Sequence, residues 1–321
     1  MRVARSTTTR DVVVEESDDP SPGPGEVVCR VLACGVCGSD VSDGYVSRKL
    51  PAVLGHEGVG EVLQIGSGVA GVAAGDRVVV HHHAPCGDCR RCRRGHETLC
   101  DRFRSTALDP GGFAEQVRVE AALVPELLAL GALDPVAGTF VEPLGCVLRA
   151  LDRARLAVGD ELLVVGAGSN GLLAIAAAQA RGVGQVWIRE PREDRRRLAE
   201  AWGARPHDDE PVDVAFLTTA DERAIAGAAA ALGAGGVLCL YATTKAGAPL
   251  GVDGEQLFLR ELTVCSSWSA GPRDMRAAYA LIADGVIDPT GLVTHRLGLE
   301  ETARALDLQR RGEAIKVVVL P

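Results

Sequence analysis

Up to about residue 140 the apolar positions come in short runs, several of them alternating with polar residues: DVVVEE (11–16), EVVCRVLACG (26–35), GVGEVLQIG (58–66), DRVVVHHH (76–83) and FAEQVRV (113–119). Period-two alternation is the signature of half-buried antiparallel strands. Turn-rich stretches such as PSPGPGE at 20–26 separate the runs. The pattern predicts a mostly antiparallel, barrel-like β domain.

Near residue 140 the spacing changes. AGTFVEPLGCVLRALDRA (137–154) places its apolar residues three and four apart, as a helix does. ELLVVGAG (161–168) is a continuous apolar run of the kind a strand buried on both faces requires. An Ala-rich helix follows, NGLLAIAAAQARG, ending at Gly182. Strands QVWIRE, VDVAFLTT, VLCLYATT and ELTVCSSW then alternate with helices REDRRRLAEAWGA and ERAIAGAAAALGAGG. Such alternation predicts a doubly wound parallel sheet, so the fold class is α/β. Two amphipathic helices, MRAAYALIADGV and LEETARALDLQRRGE, and a closing strand AIKVVVLP complete the chain. The expected layout is a β-rich catalytic domain at 1–143, a dinucleotide-type domain at 144–270, and a return to the first domain at 271–321.

The 321 residues are enough for two ordinary domains. Lys plus Arg number 34 against 43 Asp plus Glu, a net charge of −9, which argues against nucleic acid or an anionic membrane as partner. No apolar run approaches the ~20 residues of a membrane span, and the start of the chain lacks a signal peptide's apolar core. The expectation is a cytoplasmic protein.

There are ten cysteines, four of them within fifteen residues: Cys86-x2-Cys89-x2-Cys92-x7-Cys100. In a reducing compartment such clustering points to metal rather than disulfides. Four thiolates on short turns satisfy tetrahedral zinc and leave no place for water or substrate, so this metal is structural. A second set is dispersed: Cys37 in GVCGSD, His56 and Glu57 in GHEGVGEVLQIG, and Glu142 in FVEPLGC. A thiolate, an imidazole and a carboxylate can form an open zinc site that keeps one position for water or an alcohol. A third signal is Gly166-x-Gly168-x-x-Gly171 with Ser169 and Asn170, set between an apolar strand and a helix. That context suits a pyrophosphate held at a helix N-terminus. Glu190 stands 19 residues past Gly171, where an acid binds a ribose hydroxyl, so NAD is expected. Arg189, Arg192 and Arg195 crowd the same place and keep NADP open.

In this order and with these motifs the chain resembles the zinc-dependent medium-chain alcohol dehydrogenases over essentially its whole length. GHEGVGEVLQIG and CGDCRRCRRGHETLC together carry the resemblance, with VVGAGSNG beside them. FVEPLGC places the chain near the sorbitol and threonine dehydrogenase branch. The resemblance implies a GroES-like barrel plus a Rossmann domain, two zincs per chain (one catalytic, one structural), and a homodimer or homotetramer. It implies Cys37, His56 and either Glu57 or Glu142 as ligands of the catalytic zinc. Ser39 would pass the alcohol proton, Asp40 would orient the zinc histidine, and Lys316 would lie near the cofactor phosphates. One departure is Ser42, where many relatives carry a histidine of the proton relay.

The expected function is NAD-linked oxidation of a secondary alcohol or polyol to a ketone. The alternatives are an NADPH-dependent ketone or aldehyde reductase and a non-catalytic zinc-containing dinucleotide-binding protein. His81, His82 and His83 look like a metal cluster, but adjacent residues on a strand point to opposite faces, so they are not expected to be ligands. Cys146 is expected to be a core thiol, while Trp268 and Tyr45 suit either a pocket or packing.

Overall fold

The computed structural model describes residues 1–244 and 247–321. The described chain divides into two compact units, Met1–Pro143 with Gly271–Pro321, and Leu144–Ala270. Strands β1 (Arg2–Ser6), β2 (Val12–Glu16), β3 (Val27–Gly35), β4 (Ala52–Val53), β5 (Glu57–Ile65), β6 (Arg77–Val80), β7 (Leu108–Asp109), β8 (Gln116–Val119) and β9 (Leu128–Ala129) lie in the first part of the chain. β2, β1 and β4 form a small sheet. β3 pairs antiparallel with β5 and with β8, and β5 pairs with β6. The apolar positions that alternate in the sequence converge on one core, in which Val27, Cys29, Val117 and Val119 are buried.

Helix α1 (Val141–Arg153) leads into the second unit. There β10 (Leu162–Val165), α2 (Ser169–Ala180), β11 (Val186–Arg189), α3 (Glu193–Ala201), β12 (Arg205–Pro206), β13 (Val212–Leu217), α4 (Glu222–Ala231), β14 (Leu232–Leu240), α5 (Gly254–Leu259) and β15 (Thr263–Ser266) follow. The sheet is parallel, in the order β12-β11-β10-β13-β14-β15. β10 is buried throughout, as its continuous apolar run requires. One expectation fails here: the sequence pattern carries α4 through LGAGG, yet the helix stops at Ala231 and β14 starts at Leu232. Three glycines in four residues remove helix propensity, and Gly235 sits at φ +78.

Back in the first unit, α6 (Pro272–Ala283), β16 (Val293–Gly298), α7 (Thr302–Arg311) and β17 (Lys316–Leu320) close the chain. β17 pairs with β16 on one side and β3 on the other. β3 therefore runs between β17 and β5, with Gly35 opposite Glu57 and Val318. That register brings the two ends of the unit's sequence to one spot.

Candidate active site

Cys37 lies two residues past the end of β3 and immediately precedes a single 3₁₀ turn, Gly38–Val41. The turn folds Asp40 back, so that its Oδ2 accepts from the Cys37 N–H at 3.0 Å. Its other oxygen lies 3.4 Å from His56 Nδ1. Asp40 is buried, and burial works to raise its pKa. The His56 imidazole and the N–H groups of Cys37 and Gly55 outweigh burial and hold the carboxyl below its ordinary value. His56 is the mirror case: burial works to lower it, but Asp40 and Cys37 raise it well above an ordinary imidazole. Orientation of a ligand histidine by a buried carboxylate is the usual support of a metal site.

Glu57 opens β5 one residue later, so it faces the same spot across the β3–β5 ladder. Ligand atoms of Cys37, His56 and Glu57 all lie within 4.8 Å of one another. One soft and two harder donors, with no fourth side chain among the described residues in that group, fit an open zinc site. Glu142 is buried in the first turn of α1 and is not part of this group. Of the two candidate glutamates, only Glu57 converges with Cys37 and His56.

Lys316 departs from expectation. Its ammonium is not free to meet a cofactor phosphate. It is buried, its ammonium bonded to the Glu57 carboxylate and 5.5 Å from the centre of the Phe140 ring. Burial works to lower its pKa, yet Glu57 first, then Cys37 and Glu142, raise it above 10.5. Gly35 makes room for the pair, since a Cβ there would overlap the Glu57 carboxylate and Lys316 Cε. Among the described residues Ser39 Oγ is buried without a partner, whereas Ser42 is exposed.

None of the three consecutive histidines joins either ligand group, but not for the reason expected. β6 ends at Val80, so strand alternation does not govern them. His82 lies over His56, ring centres 4.8 Å apart, and 4.0 Å from His83. Burial holds His81 down to about 3 and His83 to about 4, and pushes His82 well below its ordinary value. All three are neutral at pH 7.

The second cysteine set also converges: Cys86, Cys89, Cys92 and Cys100 present sulfurs within 4.8 Å of one another. Backbone N–H groups of Cys89 and Cys86 point at the sulfurs of Cys86 and Cys100, at 3.3 and 3.4 Å. Burial raises the Cys100 thiol, but backbone N–H groups, that of Cys86 foremost, bring it down to about 6. A thiol that ionises this readily suits a closed four-sulfur metal site.

In the second unit the glycine turn joins β10 to α2. Gly166 has φ +97, and a Cβ on Gly171 would fall on the Gly166 carbonyl oxygen. Ser169 Oγ is buried without a protein partner, and Asn170 follows it in the first turn of α2. Glu190 accepts from Ala167 N–H at 2.8 Å and from Arg192 N–H at 2.9 Å. Arg189 is committed to Gly227 O, His207 and Asp209, and Arg192 to Asp194. Of these arginines it is Arg195 that reaches the turn, 4.0 Å from where a Gly168 Cβ would be.

Comparison with known proteins decides the lineage. Residues 23–128 match the alcohol dehydrogenase GroES-like domain. Sorbitol dehydrogenase of Bacillus subtilis (strain 168) is 30% identical, over 100% of this chain and 97% of that protein. L-threonine 3-dehydrogenase of Pyrococcus abyssi (strain GE5 / Orsay) is 33% identical over 95% and 94%. The chain belongs to the zinc-dependent medium-chain alcohol dehydrogenases, in the sorbitol and threonine dehydrogenase branch. The alcohol dehydrogenase of Thermus sp. ATN1 superimposes with a TM-score of 0.88 at 29% identity, covering 100% of this chain and 99% of that one. The architecture is thus the GroES-like plus Rossmann arrangement of this dehydrogenase family. Sequence reasoning missed two residues beside the family's metal motif. Lys316 was read as a phosphate contact, and His82 was set aside on strand alternation. The three successive histidines were the available signal for His82; for Lys316 there was none, because its partner is 259 residues away.

Proposed function

We infer that this dehydrogenase moves a hydride between a secondary alcohol or polyol and a nicotinamide cofactor, yielding the ketone. The observation that carries the reading is the open three-donor set of Cys37, His56 and Glu57, beside a buried, unpartnered Ser39 hydroxyl. When bound, zinc supplies the Lewis acidity that lowers an alcohol's pKa, and nicotinamide the acceptor for hydride. Asp40 fixes His56 in the orientation that ligation needs. Lys316 holds Glu57 in place and removes one unit of negative charge from the donor set. Ser39 takes up the alcohol proton, and the exposed Ser42 leaves solvent to carry it onward. Glu142 acts electrostatically on Lys316, outside the ligand group.

Gly166, Gly168 and Gly171, with the Ser169 hydroxyl and Asn170 at the N-terminus of α2, would hold the cofactor diphosphate. Glu190 makes NAD the preferred cofactor. Arg195 at the turn is the residue that would tolerate a 2′-phosphate. Cys86, Cys89, Cys92 and Cys100 would hold a second zinc, in a structural role. Among the described residues no helix is long and apolar enough to cross a membrane. Ten free cysteines, four of them converging in one set, suit the reducing cytoplasm. A homo-oligomer is supported by β15, the last strand of its sheet, with Phe258 and Leu259 exposed nearby.

The test is zinc analysis together with NAD reduction on polyols, amino alcohols and secondary alcohols. Two zincs per chain and turnover that chelation abolishes are expected. A single zinc without alcohol oxidation overturns the reading.

A further inference from the structure

Of the ten cysteines, Cys37, Cys86, Cys89, Cys92 and Cys100 belong to the two candidate metal sets. Cys29, Cys34, Cys146 and Cys239 are buried, which leaves Cys265 as the one partly exposed thiol without a metal role. Cys265 of β15 lies directly beside Cys239 of β14 in the parallel register of the two strands. Side chains at paired positions of such a ladder stand on the same face of the sheet. α1 packs on that face, where Cys239 Sγ donates to the Ala150 carbonyl at 3.6 Å. Arg153, at the end of α1, donates from Nε to the Ser266 carbonyl at 2.5 Å and so brings its charge next to Cys265. The contact with Cys239 first, and then Arg153, hold the Cys265 thiol below its ordinary value although burial opposes them. The same contact, together with burial, drives Cys239 upward.

We propose that Cys265 is a peroxide-reactive site and that Cys239 resolves it, closing a reversible disulfide between β14 and β15. Position carries the pairing. Neighbouring strands lie about 4.8 Å apart, within the roughly 4.4–6.8 Å over which a disulfide joins two Cα atoms. Access and charge carry the order of events, since the partly exposed thiol beside a guanidinium reacts first and the buried one follows. The Cys265 thiolate attacks one peroxide oxygen, the O–O bond breaks, and a sulfenic acid forms while the other oxygen takes up a proton and leaves as water. The Cys239 sulfur then attacks the sulfenic sulfur and the S–O bond breaks. The departing hydroxide takes the Cys239 proton and leaves as a second water. The two thiols lose two electrons in all, and the peroxide gains them. The bridge fastens the last strand of the sheet to its neighbour through one face and leaves the outer backbone edge of β15 as it is.

The experiment exposes the zinc-loaded protein to hydrogen peroxide, removes the excess with catalase, blocks free thiols with N-ethylmaleimide and maps peptides without reduction. The peptides of Cys239 and Cys265 should be recovered joined by a disulfide, before any cysteine of the metal sets is oxidised, and dithiothreitol should return both thiols. In Cys239→Ala, trapping of a sulfenic acid on Cys265 by dimedone should rise severalfold over the wild type, because the resolving thiol is gone. Cys265→Ala should leave Cys239 unoxidised. Both residues recovered as free thiols after the metal-set cysteines have begun to oxidise overturns the proposal. So does a disulfide joining Cys265 of two chains, or Cys265 carried to the sulfinic acid while Cys239 stays free. The wild-type map alone decides between these outcomes if a variant fails to fold.

Discussion

Glu57 and Lys316 are each almost without solvent, at 1% and 2% exposure, and each is the other's main compensation for burial. Two charges taken out of water are tolerated only when paired, and removing one partner leaves the other uncompensated. Lys316→Met should therefore destabilise the protein by about 3–5 kcal/mol in urea unfolding. Lys316→Arg, which keeps the charge in a larger head, should cost less. The pH dependence has a definite sign. Lys316 is raised above 10.5 in the folded chain, so its contribution is complete below 10.5 and is lost as pH climbs through the higher folded value. The gap in stability between wild type and Lys316→Met should accordingly close in strongly alkaline solution. A constant gap from neutral to alkaline pH would show that packing against Phe140, rather than the ion pair, is what the substitution removes.

Short elements put the chemistry in place, and they differ in how openly the sequence declares them. The glycine turn was legible because its constraint is local: a strand, three glycines at fixed spacing and a helix are contiguous in the chain. Its geometry adds a detail. The Glu190 carboxylate accepts from the turn's own Ala167 N–H, which ties the end of β11 to the turn after β10. Gly171→Ala, whose methyl would collide with the Gly166 carbonyl, should weaken NAD binding at least tenfold in a fluorescence titration. Glu190→Gln should also weaken NAD binding, and should narrow the preference for NAD over NADP. If NAD affinity is indifferent to Glu190→Gln, the carboxylate serves only to brace the turn. The four-cysteine loop was legible for the same local reason. The end of α4 was not, because the Ala run continues a helical pattern past the point where pairing of Leu232 with Val212 takes over. The histidines misled in the opposite way: alternation is a property of strands, and the strand ends just before them.

At the scale of the molecule, the fold class followed from periodicity alone, since each unit's pattern of two or of three and four residues is repeated over a hundred or so residues. What could not be read was the meeting of distant segments. Lys316 reaches Glu57 only because β17 lies on the far side of β3 from β5, and nothing within ten residues of either position foretells that order. The same limit applies to assembly. β15 ends its sheet with one row of backbone groups unpaired within the described chain. Val264 on that strand is 36% exposed, and Phe258 and Leu259 on α5 are 81% and 65% exposed. An open strand edge with apolar neighbours is a template for another strand, and a second copy of this chain would present the same edge to it. Two such edges aligned about a twofold axis extend the sheet and cover these side chains together. Val264→Lys places a charge on that edge, the device by which natural sheets prevent such pairing. Sedimentation should then show the mass per particle falling toward that of one chain, with zinc content unchanged because neither candidate ligand set lies on this strand. An oligomer unaffected by Val264→Lys would mean that the copies meet through another surface.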